Sequence, residues 1–286
     1  MTYLARIQAC NNANFDDLLP WLIDGVRYGW ISRENARHLQ AFPDIFRVGE
    51  NKVTLNPMLT GYQQCTAMIN DVMLALYQQG VIDTWVGEAY PVTLGFEQPA
   101  VLEVERAAAT FLGIRSIGIH INGLVQKQDG IHVWAGRRTH KKPFWPGKLD
   151  QMVAGGQPVG IGLMNNLIKE SQEEASIPAE IAQQATAASQ INYVYQYWRG
   201  VEDSTIFVYD MWLPESFEPV NTDGEVEGFE LLTLQEVAEI TEQTDDFKDN
   251  CNLVNIDLLL RLGAINSQHP EYDLIQENLN SRATSR

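Results

Sequence analysis

Glu170, Glu173 and Glu174 stand at i, i+3 and i+4 within LMNNLIKESQEEAS. On a helix that spacing puts all three carboxylates on one face. Converged carboxylates suit a hard divalent cation with oxygen ligands, Mg2+ first and Mn2+ as the alternative. Such a cation binds phosphate oxygens and neutralises the charge that builds as a P–O bond cleaves. The plainer alternative is a solvated face, since runs of Glu on a helix are common in acidic proteins. The setting favours the metal: Gly155-Gly156 follow an apolar stretch, Met152-Val153-Ala154, and open a short loop ahead of the helix.

The 286 residues carry a net charge of −17 and are 45% hydrophobic, with a pI near 4.6. This length suits one large or two modest domains with a substantial core. The charge opposes nonspecific binding to nucleic acid or to anionic lipid. An acidic protein that handles phosphates must supply positive charge locally, and GRRTHKKPFWPGK is placed to do so. It holds Arg137, Arg138, Lys141, Lys142 and Lys148, five of the 20 Lys and Arg residues, shortly before the glycine pair. A solubilising loop is the competing reading; as phosphate ligands, Arg137, Arg138, Lys141 and Lys142 would act together with Gly155 and Gly156. His120 and His132 lie in strand-like runs with no second ligand at useful spacing, and read as packed or edge histidines. Cys10, Cys65 and Cys251 form an odd, scattered set, which argues against a disulfide framework and for a reducing compartment, the cytoplasm. There is no CxxC or His-rich pattern for zinc, no signal-peptide core, and no apolar run of about 18 residues to span a membrane.

The elements that must position these groups follow from periodicity and breakers. Phe15, Leu18, Leu19 and Leu22 recur at helical spacing, so residues 14–42 read as helices, interrupted at Gly25 and Gly29, capped again at Ser32 and ended by Pro43. Phe46 and Val48 face Val53 and Leu55 across a Gly49-Glu50-Asn51 hairpin. Residues 60–79 form an amphipathic helix stopped by Gly80, residues 90–94 alternate like a strand, and residues 99–112 read as a helix. From Gly113 the pattern turns to strands: IGIHINGLVQ and GIHVWAGRR joined at Asp129-Gly130, then, after the acidic helix, INYVYQYW, a turn at 200–203, and STIFVYDMWLP. Tyr193, Tyr195 and Tyr197 share one strand face, either stacking a planar ring or lying under another element. DGEVEGFELLTLQEV supplies Asp223, Glu225 and Glu227 before a strand and a short helix, and FKDNCNLVNIDLLLRLGAI is a helix. Residues 271–286 read as a polar tail, disordered at its end.

The residues from Gly155 to Ile177 resemble the Nudix box: Gly, five residues, Glu, seven residues, Arg-Glu, an apolar residue, any residue, Glu-Glu, any residue, Gly, apolar. Lys169 takes the Arg position, and Ile161, Ser171 and Ser176 replace the first Glu, an apolar residue and the second Gly. FRVGENKVTLNP, WVGEAYPV, VERAAATFLGI, GIHINGLV, WPGKLDQMVAGG, DGEVEGFELL and the late helix extend the likeness over nearly the whole chain, to the Nudix subfamily described as related to thiamine pyrophosphokinase. The resemblance implies an α+β protein: a mostly helical N-terminal domain over residues 1–112, then an α/β/α Nudix sandwich with a mixed sheet over 113–270. It implies hydrolysis of a diphosphate, thiamine diphosphate or its oxidised forms in this subfamily, to the monophosphate and phosphate. Glu170, Glu173 and Glu174 would hold Mg2+, and Glu170, Glu174, Glu225 and Glu227 are the candidate catalytic carboxylates, with the general base among Glu170, Glu225 and Glu227. The loss of a loop carboxylate at Ile161 puts the loop's attachment to the helix in question. No ATP-binding loop accompanies the subfamily name. A nucleotide sugar or dinucleotide as substrate, or a domain that binds a diphosphate without cleaving it, are the alternatives. The partner expected is a small-molecule diphosphate, with no nucleic acid or membrane, and a homodimer is compatible with the sequence.

Overall fold

The computed structural model describes residues 1–141 and 144–280. Helix α1 (Tyr3–Cys10) is capped by the Thr2 hydroxyl, which accepts the Ala5 N–H. Strands β1 (Leu18–Ile23) and β2 (Val26–Ser32) follow, where the apolar spacing predicts helix. The reason is Asp24-Gly25, with φ of 49° and 81°. These angles build a two-residue hairpin turn, and Ile23 pairs with Val26 across it. Leu19, Trp21 and Ile23 then bury every second side chain, the period of a strand. The second part of that segment is helical as expected: Ser32 accepts the Asn35 N–H and caps α2 (Arg33–Leu39).

The hairpin of β3 (Phe46–Val48) and β4 (Val53–Leu55) pairs β4 in parallel with β1, giving a four-stranded sheet ordered β2-β1-β4-β3. Helix α3 (Tyr62–Gln78) packs Ile69, Val72, Met73 and Leu76 into the same core. Strand β5 (Ala89–Val92) pairs with β6 (Leu102–Glu105). Residues 99–112 are therefore strand first and helix only in α4 (Ala108–Leu112). Leu102 and Val104 alternate with half-exposed or polar neighbours and find partners on β5. Of the helices expected in this region, α2 and α3 are present, α4 is only the end of the one expected over 99–112, and the first is replaced by the β1–β2 hairpin.

The larger sheet is built from β7 (Arg115–Lys127), β8 (Gly130–Arg138), β9 (Leu149–Gln151), β10 (Val153–Gly156), β11 (Thr186–Tyr197), β12 (Gly200–Trp212) and β13 (Val226–Thr233). Its order is β11-β12-β7-β8-β13, with β10 on β7 and β9 on β8. β12 runs parallel to β7 and the other pairings are antiparallel, so the sheet is mixed. Gly200 to Asp203 belong to β12 rather than to a turn; the reversal falls at Trp198-Arg199. Alternation along the strands sends side chains to two faces. Ile119, Ile121, Tyr209 and Met211 meet Leu167 and Ala175 of α5 (Leu163–Ala175) and Ala182 of α6 (Ala179–Ala182). Ile191, Tyr193, Ile206 and Val208 meet Leu253, Val254 and Ile256 of the late helix. This is an α/β/α sandwich. Helix α7 (Leu234–Gln243) starts in a capping box of Thr233 and Glu236, and α8 (Asp249–Arg261) is the late helix.

The C-terminal segment differs from the polar tail expected. Residues 272–280 form helix α9 (Tyr272–Asn280), which buries Ile275 and Leu279 against this second face; residues 281–286 lie outside the described residues. Tyr3, Ile7 and Cys10 of α1 enter the same core. Residues 1–10 thus pack with the later sheet, while residues 19–114 share a core of their own.

Candidate functional site

Helix α5 carries Glu170, Glu173 and Glu174 on its last two turns. Glu174 is buried, and its Oε2 accepts the Ala154 N–H of β10 at 2.9 Å. Burial pushes its carboxyl well above the ordinary value; the Ala154 N–H opposes this, and the charges of Glu170, Asp150 and Glu225 add to it. Burial also raises the Glu170 carboxyl, against the Lys169 ammonium beside it. Lys169 bridges Glu170 at 3.1 Å and Glu173 at 2.9 Å, so Glu173, half in solvent, is tied to its own helix. The glycine pair is strand β10 rather than a loop, opposite Ile119 and Gly118 of β7. Both glycines are required by close approach: a Cβ on Gly155 would lie 2.5 Å from the Glu170 carboxyl carbon, and one on Gly156 would meet the Tyr90 hydroxyl.

A second acidic segment closes on the end of α5. A helix leaves its last carbonyls without intrahelical partners, and residues 220–222 satisfy them here. Val220 N–H donates to Ala175 O, Asn221 Nδ2 to Glu174 O at 3.0 Å, and Thr222 Oγ1 to Glu173 O at 2.9 Å. Asn221 also donates to Asp223 Oδ1 and accepts the Gly224 N–H. This docking brings Asp223 and Glu225 to Glu174, with one carboxylate oxygen of each within 4.8 Å of the others. Three carboxylates so close, one of them desolvated and already raised, repel one another and fit a hard divalent cation. When bound, such an ion would draw charge from phosphate oxygens and acidify a water. Glu227 faces elsewhere: its two oxygens take the His140 N–H at 2.8 Å and the imidazole Nδ1 at 2.9 Å. Those bonds hold its carboxyl below the ordinary value.

The basic stretch is differently employed. Arg137 is bound to Glu230 and to Gly147 O, and Arg138 to Asp150 and to the carbonyls of Phe144 and Trp145. Both brace the β8–β9 connection, so neither is aimed at a phosphate. Lys148 meets Asp245 O, Lys141 is exposed, and Lys142 lies outside the described residues.

A cavity of about 190 Å³ opens beside Ala154, Gly155 and Gly156. Tyr90 and Arg106 line it from the N-terminal region, and His120, Tyr193, Glu202 and Lys248 from the sheet and α8. Arg106 pairs with Glu88 at 2.8 Å and lies over the Tyr90 ring. Lys248 is paired with Asp150 at 3.5 Å, and Asp150 also takes Arg138 at 2.8 Å and the Cys251 thiol. Burial alone would lower the Lys248 ammonium, but Asp150, Cys251 and Glu202 together outweigh it and the pKa is raised. Burial and the Lys248 charge lower His120 to about 4, so it is a neutral packed histidine, hydrogen-bonded to Gln151 at 2.6 Å.

Residues 2–116 match a sequence family described as a domain of unknown function, DUF4743. Over 278 residues, 94% of this chain and 75% of the relative, the sequence is 37% identical to Nudix hydrolase 24, chloroplastic, of Arabidopsis thaliana. The chain belongs to the Nudix hydrolase family. A second Arabidopsis thaliana relative, Nudix hydrolase 20, chloroplastic, is 37% identical over 99% of this chain and 79% of its own. A solved MutT protein from Methanosarcina mazei aligns over 54% of this chain and 96% of its own, with 16% identity and a TM-score of 0.40. Among the described residues no helix is long and apolar enough to cross a membrane.

In this Nudix hydrolase the three departures from the box have physical substitutes or costs. Where Ile161 replaces a loop carboxylate, Gln157 and Asn166 hold the loop to the helix. Asn166 Nδ2 donates to Gly156 O at 2.7 Å and to Gln157 Oε1 at 3.2 Å, and Gln157 Nε2 reaches Ile161 O. Ser176 sits in the left-handed region at φ 53°, where Gly is at ease, and its hydroxyl donates to Val220 O at 2.7 Å. Ser171 is fully buried with no partner for its hydroxyl among the described residues. Glu225 and Glu227 are alternative catalytic carboxylates in the sequence, where Asp223 carries no metal assignment; the fold brings Glu225 and Asp223, not Glu227, to Glu174. Arg106 and Lys248 carry no spacing signal in the sequence, where they stand beside the acidic residues Glu105 and Asp249.

Proposed function

We propose that this Nudix hydrolase is a Mg2+-dependent enzyme that cleaves the diphosphate of thiamine diphosphate or its oxidised forms to the monophosphate and phosphate. Glu174, Asp223 and Glu225 hold the cation, with Glu170 beside them and Mn2+ as a substitute. Glu170 or Glu225 accepts the proton of the attacking water. Arg106 and Lys248 take the phosphate role first given to Arg137, Arg138, Lys141 and Lys142, and the Gly155-Gly156 strand lets the diphosphate approach closely. Residues 1–112 supply one wall of the pocket, and the remainder from Gly113 the chemistry. The partner is a small diphosphate rather than nucleic acid.

The observation that carries this reading is the cavity beside β10, which joins cationic and aromatic side chains from both regions next to the carboxylate helix. Tyr90, with Arg106 over its ring, lines the cavity, as does Tyr193, which packs against α8. A cation over such a ring contributes about 0.5–2 kcal/mol, which selects among diphosphates without excluding any. The choice of thiamine rests on the subfamily likeness. The test is phosphate release with Mg2+ from thiamine diphosphate, an oxidised analogue, ADP-ribose and a nucleotide sugar. The highest kcat/KM belongs to one of the thiamine compounds; a preference for ADP-ribose or the sugar overturns the assignment.

A further inference from the structure

Glu202 lines the same cavity from β12, and no carboxylate of the box helix or of the 223–227 segment shares that lining. Its nearest hydrogen-bonding partner is neutral: the Tyr193 hydroxyl donates to Glu202 Oε1. Asn250 Nδ2 donates in turn to that hydroxyl at 3.1 Å and fixes its direction. The two cations of the cavity are matched elsewhere, Arg106 with Glu88 and Lys248 with Asp150. Among the described residues no Lys, Arg or His pairs with Glu202, whose backbone lies opposite Tyr195 in the sheet. A half-buried carboxylate held by a tyrosine, beside an open space and with no ion-pair partner among the described residues, is suited to receive a positive charge from a ligand; Lys248 reaches it only through the longer-range attraction of its charge.

We propose that Glu202 is a specificity determinant: it binds the cationic ring of the substrate's non-phosphate moiety, at the opposite polarity from the Arg106 and Lys248 that meet its phosphates. The inference rests on the reading of this cavity as the place for the non-phosphate moiety. Tyr193 and Asn250 act as positioning residues, since they orient the carboxylate without facing the heterocycle's charge themselves. The arrangement rewards a ligand that is bipolar along its length, cationic at one end and anionic at the other. A purely anionic nucleoside diphosphate with a neutral base edge gains nothing from Glu202.

Binding of product monophosphates isolates this term from turnover. Calorimetry on the full chain compares thiamine monophosphate, whose thiazolium is cationic, with its neutral thiazolone counterpart, in the wild type, Glu202→Gln and Tyr193→Phe. Glu202→Gln weakens the cationic ligand about tenfold or more and the neutral one less than about twofold, with an unchanged Tm; Tyr193→Phe gives a smaller loss with the same selectivity. Equal losses for both ligands, or no loss for either, overturn the proposal, as does a wild type that binds neither. Glu202-dependent binding in a protein that releases no phosphate from thiamine compounds would sink the proposed reaction and leave this inference standing. Phosphate release with Glu202-independent binding would do the reverse.

Discussion

Glu227 gives both carboxylate oxygens to His140, whereas Glu225, two residues earlier, stands with Glu174 and Asp223. Chain proximity therefore does not make the two equivalent. Glu225→Gln should lower kcat about 100-fold or more, as expected for a ligand or base at a metal-assisted site. Glu227→Gln should lower it less than about tenfold. Steady-state phosphate release decides, and the reverse order would reassign the cluster. Glu174 predicts a pH effect as well. Its folded pKa is raised above the unfolded value, so its contribution to stability is complete below the usual carboxylate range and is lost as pH rises through the folded pKa. In EDTA, the Tm advantage of Glu174→Gln over the wild type should grow as pH rises above 4.5, the ordinary value. Added Mg2+ should shrink that advantage. A Tm difference independent of pH would show that Glu174 ionises freely.

At the scale of elements, the site depends on how residues 220–225 close the end of α5. Asn221 ties the Glu174 carbonyl to Asp223 and to the Gly224 N–H. Asn221→Ala removes these bonds at a surface-accessible position, so stability should fall by only about 1 kcal/mol. The Mg2+ concentration for half-maximal activity should rise severalfold, because Asp223 is no longer held toward Glu174. An unchanged Mg2+ requirement would detach the loop from the metal site. The acidic face of α5 was legible in the sequence because i, i+3, i+4 spacing maps directly onto a helix surface. The β1–β2 hairpin was not, because Leu18, Leu19 and Leu22 mimic helical spacing and the two-residue turn at Asp24-Gly25 was passed over. Helix α9 carried its signal in Tyr272, Ile275 and Leu279, spaced by three and four, within an otherwise polar segment. Arg137 and Arg138 looked like phosphate ligands by composition. Only the fold shows their carboxylate and carbonyl partners, and only the fold brings Arg106, distant in sequence, to Gly156.

At the scale of the molecule, the two regions are joined at the site and by α1. Tyr3, Ile7 and Cys10 are buried among Ile191, Val208, Leu253 and Ile275. Each fully buried large apolar side chain contributes about 1.5–3 kcal/mol, against a total stability on the order of 5–15 kcal/mol for a domain. Deleting residues 1–12 should therefore cost several kcal/mol, and a chain beginning near Gly113 should be poorly soluble, since it loses that helix too. Chemical denaturation of the first deletion and the soluble yield of the second measure this. A soluble, cooperatively folding fragment from Gly113 would show that α1 is dispensable to the sandwich.

The central proposal is that the carboxylates around Glu174 make this fold a metal-dependent diphosphate hydrolase. It is tested most directly by kcat for phosphate release from the best diphosphate of the panel, in the wild type and Glu174→Gln at saturating Mg2+. The predicted result is an EDTA-sensitive wild type and a folded variant reduced by about 100-fold or more, a loss near 3 kcal/mol of transition-state stabilisation. A purified, folded Glu174→Gln with full turnover would contradict it.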